Sequence, residues 1–345
     1  MTATLFLEPL DVLYLRGNKL FADAGAHGEA LMPPWPSLAA GAIRSRLMAD
    51  GASLEALADF HLTHFGLARL TADGKAEILW PLPGDIVVTK ETLDDARYLS
   101  PSPLPAGVTS SCALPRLPAL CSQAPAKPAG GLWLNEAGVS AWLAGQAIAA
   151  SHLIPSHALW QSDPRLGIAL DADKSSAAVG KIYTSECIAL QPQIGFAAAY
   201  RGAARLADGS LVRLGGDGRG ALLHTVHRQQ PDPDWDRIGE EGRFRLLLTT
   251  PGMFAAGWQP EGVPARLVAA AVGRYETVSG WDVRSTANRP KAAQRVAPSG
   301  SVYWYDEFHG DLDQLKHLAS AGLAPADPTR HAEGFGKLAI APWAV

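Results

Sequence analysis

Twice along the chain, alternating apolar segments stand on either side of an Asp-Gly turn, and helical patterns fall between such strand pairs. That order restricts the fold to a few α+β architectures. Apolar and polar positions alternate in TLFLEPLDVLYL, which predicts an opening strand. The proline cluster after it leads into SLAAGAIRSRLM, whose start signal and apolar spacing predict a helix. GLARL and AEILW flank ADGK as a hairpin, and EAGVSAWLAGQAIAA reads as a second helix with its acidic residue in the first turn.

Strand, helix, hairpin and helix make up most of a ferredoxin-like βαββαβ unit. The second half repeats the theme. QIGFAAAYRGAARL and SLVRLGG are joined by ADG as a hairpin, followed by the strands ALLHTVHR and RFRLLLTT, a helix expected near Pro264, and the strand SVYWYDE. DLDQLKHLASAG is a helix with a glycine stop, and LAIAPW closes the chain as a strand. The expected architecture is therefore two ferredoxin-like (RRM-like) domains, divided as 1–155 and 156–345. Proline and alanine dominate from Ser100 to Gly130, which excludes central strands there, so about 98–131 reads as an insertion.

Length and composition agree with two packed units: 345 residues, 47% hydrophobic and 19% charged, can bury a core and are not those of a disordered chain. Cys112, Cys121 and Cys187 have neither CxxC spacing nor an even count, which points to a reducing cytosol without structural zinc or disulfides. The first residues lack a basic leader and carry Glu8 and Asp11, unlike a secretory signal, and even SAWLAGQAIAASHLI is too broken by polar groups to span a bilayer. A net charge of −4 is unusual for a protein that binds phosphates, so distribution matters more than the sum. Between Ala265 and Ala297 the chain carries Arg266, Arg274, Arg284, Arg289, Lys291 and Arg295 against Glu276 and Asp282. That segment can face an anion, whereas the acid-rich stretch from Pro231 to Gly242 cannot.

The segment EPLDVLYLRGNKLFADAGAHGEALMPPWPSLAAGAIRSRL combines a strand ending in arginine, a loop bearing glycine and histidine, and a Pro-Pro-x-Pro-Ser step into a small-residue helix. In this it resembles the third subunit of the type III-B CRISPR Cmr complex, within the repeat-associated (RAMP) superfamily. Further matches follow in order: DPRLGIALDADKSSAAVGKIYTSE, LVRLGGDGR, GWDVRSTANRPKAAQRVAPSGSVYWY and AEGFGKLAIAPW. The resemblance implies a non-catalytic, RNA-binding subunit that holds the 5′ tag of the guide RNA (crRNA) in antiviral defence. The partners it implies are that RNA, the large Cas10-type subunit, the backbone RAMP subunit and, indirectly, target RNA, with no membrane and no cofactor.

The helix entry at Pro36 and Ser37 leaves backbone N–H groups facing outward, and Ala39, Ala40 and Gly41 offer little obstruction to a phosphate, with Arg44 beyond. An ordinary capped helix would look the same. The RNA-binding residues that the resemblance implies are Arg16, Lys19, His27, Ser37, Gly41, Arg44, Arg165, Lys181, Tyr183, Gly215, Gly216, Arg219, Arg289, Lys291, Gly334, Phe335, Gly336 and Lys337. Read locally, GGDGR is a hairpin exit, and Gly334-Phe335-Gly336 is a turn that permits close backbone approach while the phenylalanine anchors it. Trp35 and Tyr183 are candidate stacking platforms for unpaired bases. Either the proline-rich insertion or the loop Asp171–Ala178 is a candidate thumb-like hairpin.

A rival reading is a metal-independent guide-processing ribonuclease, with His27 as base and Arg16 or Lys19 stabilising the phosphorane. A metal site finds less support. His61 and His64 are three apart without an HExxH glutamate, and His224 and His227 fall on opposite faces of an expected strand. A small-molecule enzyme would instead require a deep pocket with perturbed titratable groups.

Overall fold

The computed structural model describes residues 4–344 apart from 18–26, 91, 121–125, 172, 175, 229–230, 283–288 and 326. In chain order, the first part contributes β1 (Thr4–Pro9), the short β2 (His27–Gly28), helix α1 (Ser37–Ala49), the hairpin β3 (His61–Leu70) and β4 (Ala76–Pro81), β5 (Leu132–Leu134), helix α2 (Glu136–Leu143) and β6 (Leu153–Pro155). A long hairpin of β7 (Trp160–Leu170) and β8 (Ala177–Leu190) precedes β9 (Ile194–Arg201), β10 (Leu211–Arg213) and β11 (Gly220–Val226). The rest is α3 (Trp235–Glu241), β12 (Phe244–Leu248), β13 (Arg266–Ala271), β14 (Glu276–Val278), β15 (Gln294–Val296), β16 (Val302–Asp306), α4 (Leu312–Ala321), α5 (Pro328–Ala332) and β17 (Leu338–Ala341).

Two sheets carry the architecture. The first runs β6-β5-β4-β3-β9-β1-β11-β10 and the second β13-β16-β12-β17. Within the first, β1, β3, β9 and β11 are antiparallel neighbours in the order β3-β9-β1-β11; the four strands of the second sheet repeat that order. This is the strand order of a ferredoxin-like unit, present twice in an α+β fold. The two units differ in where they keep their helices. In the first, α1 spans the first crossover and the second holds only turns and β10; in the second, the first crossover is irregular and the second holds α4 and α5.

Core formation explains the strand compositions. Ala39, Ala40, Ile43 and Leu47 of α1 are buried against Leu5, Leu7, Phe196 and Leu223 of the first sheet, and the small alanines let the helix lie close. The second sheet is covered on both faces. Leu247, Val302 and Trp304 meet Val139 and Trp142 of α2, while Leu246, Tyr303 and Tyr305 meet Ile238 of α3 and Leu315 of α4. Strands buried on both faces lose alternation, which is why FRLLL and VYWYD read as continuous apolar runs. Each fully buried leucine or phenylalanine there contributes about 1.5–3 kcal/mol relative to exposure.

The path of the chain departs from the sequence expectations at several points. The eight-stranded sheet takes β9, β10 and β11 from the second half, so the change of sheet falls between Val226 and Phe244 and not at 155/156. The segment 71–193 is inserted between the second and third strands of the first unit, and its α2 serves the second sheet. The expected hairpin of 194–201 with 211–213 does not form, because β9 lies between β1 and β3 while β10 pairs with β11. The helix expected near Pro264 is strand β13, whose Val268 and Ala269 fill the core under α2. Helix α2 ends at Leu143 because Gly145, at φ +67°, turns the chain. The opening strand stops at Pro9, and Leu13 then bridges to Ile188. The proline-rich stretch forms a pair of its own, Ser100–Pro103 with Arg116–Ala119, outside both sheets. No helix among the described residues is long and apolar enough to cross a membrane.

Candidate nucleic-acid interface

The residues singled out in the sequence gather in two places. The first is a face built by β7, β8 and β2, the segment that follows β1, and the turn from Gly215 to Arg219. β2 runs parallel to β8, with His27 beside Thr184, and Arg16 bridges to Ala30. Gly216 N–H donates to the Tyr14 carbonyl at 2.9 Å, and Gly215 adopts φ +86° close to the same oxygen, so this turn is glycine-rich in order to dock on Tyr14. Arg16 is exposed, with its guanidinium 5.1 Å from the Tyr14 ring centroid. The Tyr183 ring lies over Gly167, its cross-strand partner, where any Cβ would collide with it.

Carboxylates interleave these cations. Arg219 pairs with Asp11 and, at 3.3 Å, with Asp217; Arg165 pairs with Asp163 at 3.0 Å, which raises its pKa. The Cys187 thiol below them is pushed up by burial, its cause before any charge. One face of the β7–β8 hairpin presents the exposed aliphatic side chains Leu166, Ile168, Leu170 and Ile182. The loop of this hairpin contains Asp171–Ser176.

The second place is the seam between the sheets. Gly334, Phe335, Gly336 and Lys337 are buried, contrary to the expectation of a loop open to phosphate. The close approach permitted by Gly334, at φ +94°, is to Pro36 and Leu62, and that of Gly336, at φ +76°, is to the Leu323 carbonyl. Phe335 anchors this turn in a cluster with Met253, Val278 and Val296, against which Trp35 packs. Trp35 Nε1 donates to Glu276 Oε2 at 3.0 Å, so it is a packing residue and not an open platform. Ser37, at the helix entry, is half-buried, and Pro36 caps the helix without a side-chain hydrogen bond. Gly41 is exposed one turn on, with nothing within 4 Å of a Cβ built there. Arg44 lies over the Phe60 ring at 4.5 Å.

Around this seam the cations hold the structure together. Lys291 Nζ meets Glu333 at 2.8 Å, and Arg330 donates to Glu333 at 2.9 Å and to the Ser279 carbonyl at 3.0 Å. Lys337 Nζ donates to the Ala321 carbonyl at 2.7 Å, and the His331 ring reaches that carbonyl at 3.1 Å, so both cap the end of α4. Burial, helped by the charge of Arg201, lowers the Lys337 ammonium to about 8, and burial also lowers His331. The His64 imidazole is lowered well below its ordinary value by burial and then by Arg228, and its Nε2 has no hydrogen-bond partner among the described residues. It faces a crevice walled by Pro33, Trp35, Trp80 and Pro251.

The basic run of the second half divides once folded. Arg266 is held by Asp306 at 2.9 Å and Glu307 at 2.9 Å, and Lys291 by Glu333. Lys19 and Arg284 lie outside the described residues, as do the side chains of His27, Lys181 and Arg289. Arg274 and Arg295 remain, both exposed and without an ion pair among the described residues. Sequence reasoning noted both in the basic run but did not connect them to Tyr275 and Trp258, because their proximity depends on β13, β14 and β15 coming together.

Comparison with known proteins agrees with the fold. A chain in a cryo-electron microscopy structure of the type III-B Cmr-beta bound to cognate target RNA and AMPPnP is similar over 98% of this chain and 99% of its own, with 12% identity and a TM-score of 0.53. A chain in the Cmr-beta structure bound to cognate target RNA is 13% identical over 91% of this chain and 89% of its own, with a TM-score of 0.49. No curated protein sequence matches closely enough to be compared. The family model of the CRISPR-associated protein Cas_Cmr3 matches residues 5–343, and the chain belongs to that family of type III-B CRISPR effector subunits.

Proposed function

We propose that this chain is a non-catalytic, RNA-holding subunit that grips the 5′ tag of the guide RNA and docks the large Cas10-type subunit, with the backbone RAMP subunit on its other side. The observation that carries this reading is the family match over residues 5–343. Two features of the molecule support it. Arg16, Arg165, Tyr183 and the turn from Gly215 to Arg219 share one face, where a backbone of phosphates would meet glycine turns and guanidinium groups. The exposed Leu166, Ile168, Leu170 and Ile182 form an aliphatic surface of the kind that assembly covers.

Three of the described histidines are engaged by neighbouring groups. His224 contacts Glu8 at 2.6 Å, His331 caps α4, and His61 contacts the Asp59 carbonyl at 2.8 Å. Co-expression with its genomic neighbours should yield a complex in which this chain retains a guide of discrete length. The isolated protein should leave guide precursor and target RNA intact, with or without divalent metal. Metal-free cleavage that disappears in His27→Ala would replace this reading with that of a processing nuclease.

A further inference from the structure

A cleft of about 810 Å³ opens between the proline-rich insertion and the far side of the second unit. Its walls come from Cys112, Trp258, Val272, Arg274, Tyr275 and Arg295. Its aromatic residues stand in solvent: Tyr275 is 52% exposed and Trp258 38% exposed. An aromatic ring is ordinarily drawn into the core by its large apolar area, so two uncovered rings in one depression call for an occupant. The fold holds both in place. The Trp258 carbonyl accepts a 2.7 Å hydrogen bond from the buried Tyr303 hydroxyl, and Tyr275 directly precedes β14.

Charge selects the occupant. The Arg295 guanidinium lies 4.7 Å from the Tyr275 ring centroid, a stacked pair with its cationic edge open to the cleft. Arg274 borders the same space, and among the described residues no carboxylate lines it. The nearest acid in sequence, Glu276, is turned away on the alternate side of the strand and engaged by Trp35 Nε1. Exposed rings supply base-stacking platforms, and two guanidinium groups without an ion pair among the described residues supply phosphate contacts; together they match a single strand of nucleic acid. The volume suits one or two nucleotides and not a folded helix, since ligand clefts of this size hold molecules of about that bulk.

We propose that this cleft is a binding site for unpaired RNA, in which bases stack on Tyr275 and Trp258 while Arg274 and Arg295 neutralise two phosphates. It lies apart from the face around Arg16 and Arg219 and rests on the reading of the chain as an RNA-holding subunit. The test is fluorescence anisotropy of the full chain with a labelled single-stranded RNA octamer across a salt series. Tyr275→Ala and the double variant Arg274→Ala/Arg295→Ala should each weaken binding about five- to tenfold, since one base stack is worth roughly 1–3 kcal/mol. The double variant should also flatten the slope of log affinity against log salt by about 1.4, at roughly 0.7 per phosphate contact in a single strand.

Alkylation gives the location. In a Cys121→Ser background the octamer should slow modification of Cys112 at the cleft lip. If wild-type chain binds no octamer in low salt, the RNA-holding reading itself is in error. If wild-type chain binds and all variants bind within twofold of it, or Cys112 reacts at an unchanged rate, the cleft is not the site. The reading of the chain would then stand without it. Octamer-independent protection of Cys112 by another subunit in the assembled complex would likewise overturn the proposal in favour of a protein partner.

Discussion

Within the second unit, Arg245, Arg330 and Lys337 are buried and bonded; in the cleft beside Tyr275, Arg274 and Arg295 are exposed, with no carboxylate among the described residues that line it. These side chains have similar chemistry, yet their surroundings give them opposite work. Arg245 pairs with Asp85, donates to the carbonyls of Pro342 at 2.9 Å and Trp142 at 3.0 Å, and lies 4.6 Å from the Trp142 ring centroid. Trp142 Nε1 in turn donates to Asp85 at 3.1 Å. One guanidinium thus ties the inserted segment, α2 and the closing strand to the second sheet. A buried charge kept only because all its donors are satisfied is a structural element; an exposed pair left unsatisfied is available to a ligand.

The largest effect is expected of Arg245→Met. It leaves Asp85 buried and unpaired, and stability to chemical denaturation should fall by about 3–5 kcal/mol, with part of the loss recovered in Asp85→Leu/Arg245→Met. A loss below about 1 kcal/mol would mean that water reaches Asp85 and the pair is not sealed from solvent. Gly336→Ala comes next. The added methyl would meet the Leu323 carbonyl in a left-handed backbone conformation, so the melting midpoint should drop by the equivalent of about 1–3 kcal/mol. An unchanged midpoint would show that the loop can shift outward, as an RNA-contacting loop would.

Lys337 sharpens the contrast through pH. Its pKa is lowered to about 8 in the fold from an unfolded value near 10.5, so the folded state binds fewer protons between those values and stability rises with pH there. Below about pH 8 the buried ammonium is a standing penalty, and it is relieved as the group is deprotonated. From pH 7 to 9.5 the wild type should gain on the order of 1–2 kcal/mol relative to Lys337→Met, measured as paired denaturation curves. A constant difference across that range would indicate a solvated ammonium. The smallest effect belongs to the cleft: Arg274→Ala/Arg295→Ala should change stability by no more than about 0.5 kcal/mol, because neither side chain makes an ion pair among the described residues. A larger loss would place these arginines with the structural set.

Element types were legible because they follow from local chemistry. The β3–β4 hairpin turns at Asp73-Gly74 as ADGK implies, with Gly74 at φ +75°, and α1 begins at Ser37 after its prolines. The long β7–β8 hairpin occupies the stretch DPRLGIALDADKSSAAVGKIYTSE, singled out through the RAMP resemblance. The face that gathers Arg16, Arg165, Tyr183 and Arg219 joins motifs that stand far apart in the sequence, since it depends on β2 lying beside β8 and the glycine turn lying on Tyr14. The missed strand β13 illustrates the limit. RLVAAA has a helix-compatible composition, and only the neighbouring β16 makes the segment a strand.

Local sequence set the period of most elements, the Asp73-Gly74 turn, the entry of α1 and the charge of each segment, because these act between residues a few positions apart. Only the tertiary structure decided which cations are used internally, that Gly334 and Gly336 face Pro36, Leu62 and Leu323 and not solvent, and that β9 and β11 complete a sheet begun by β1. The physical reason is that burial and ion pairing are set by whichever distant segment fills the adjoining space. Glu333 holds Lys291 and Asp306 holds Arg266, while Arg274 and Arg295 meet no acid among the described residues, and nothing in the basic run itself distinguishes the four.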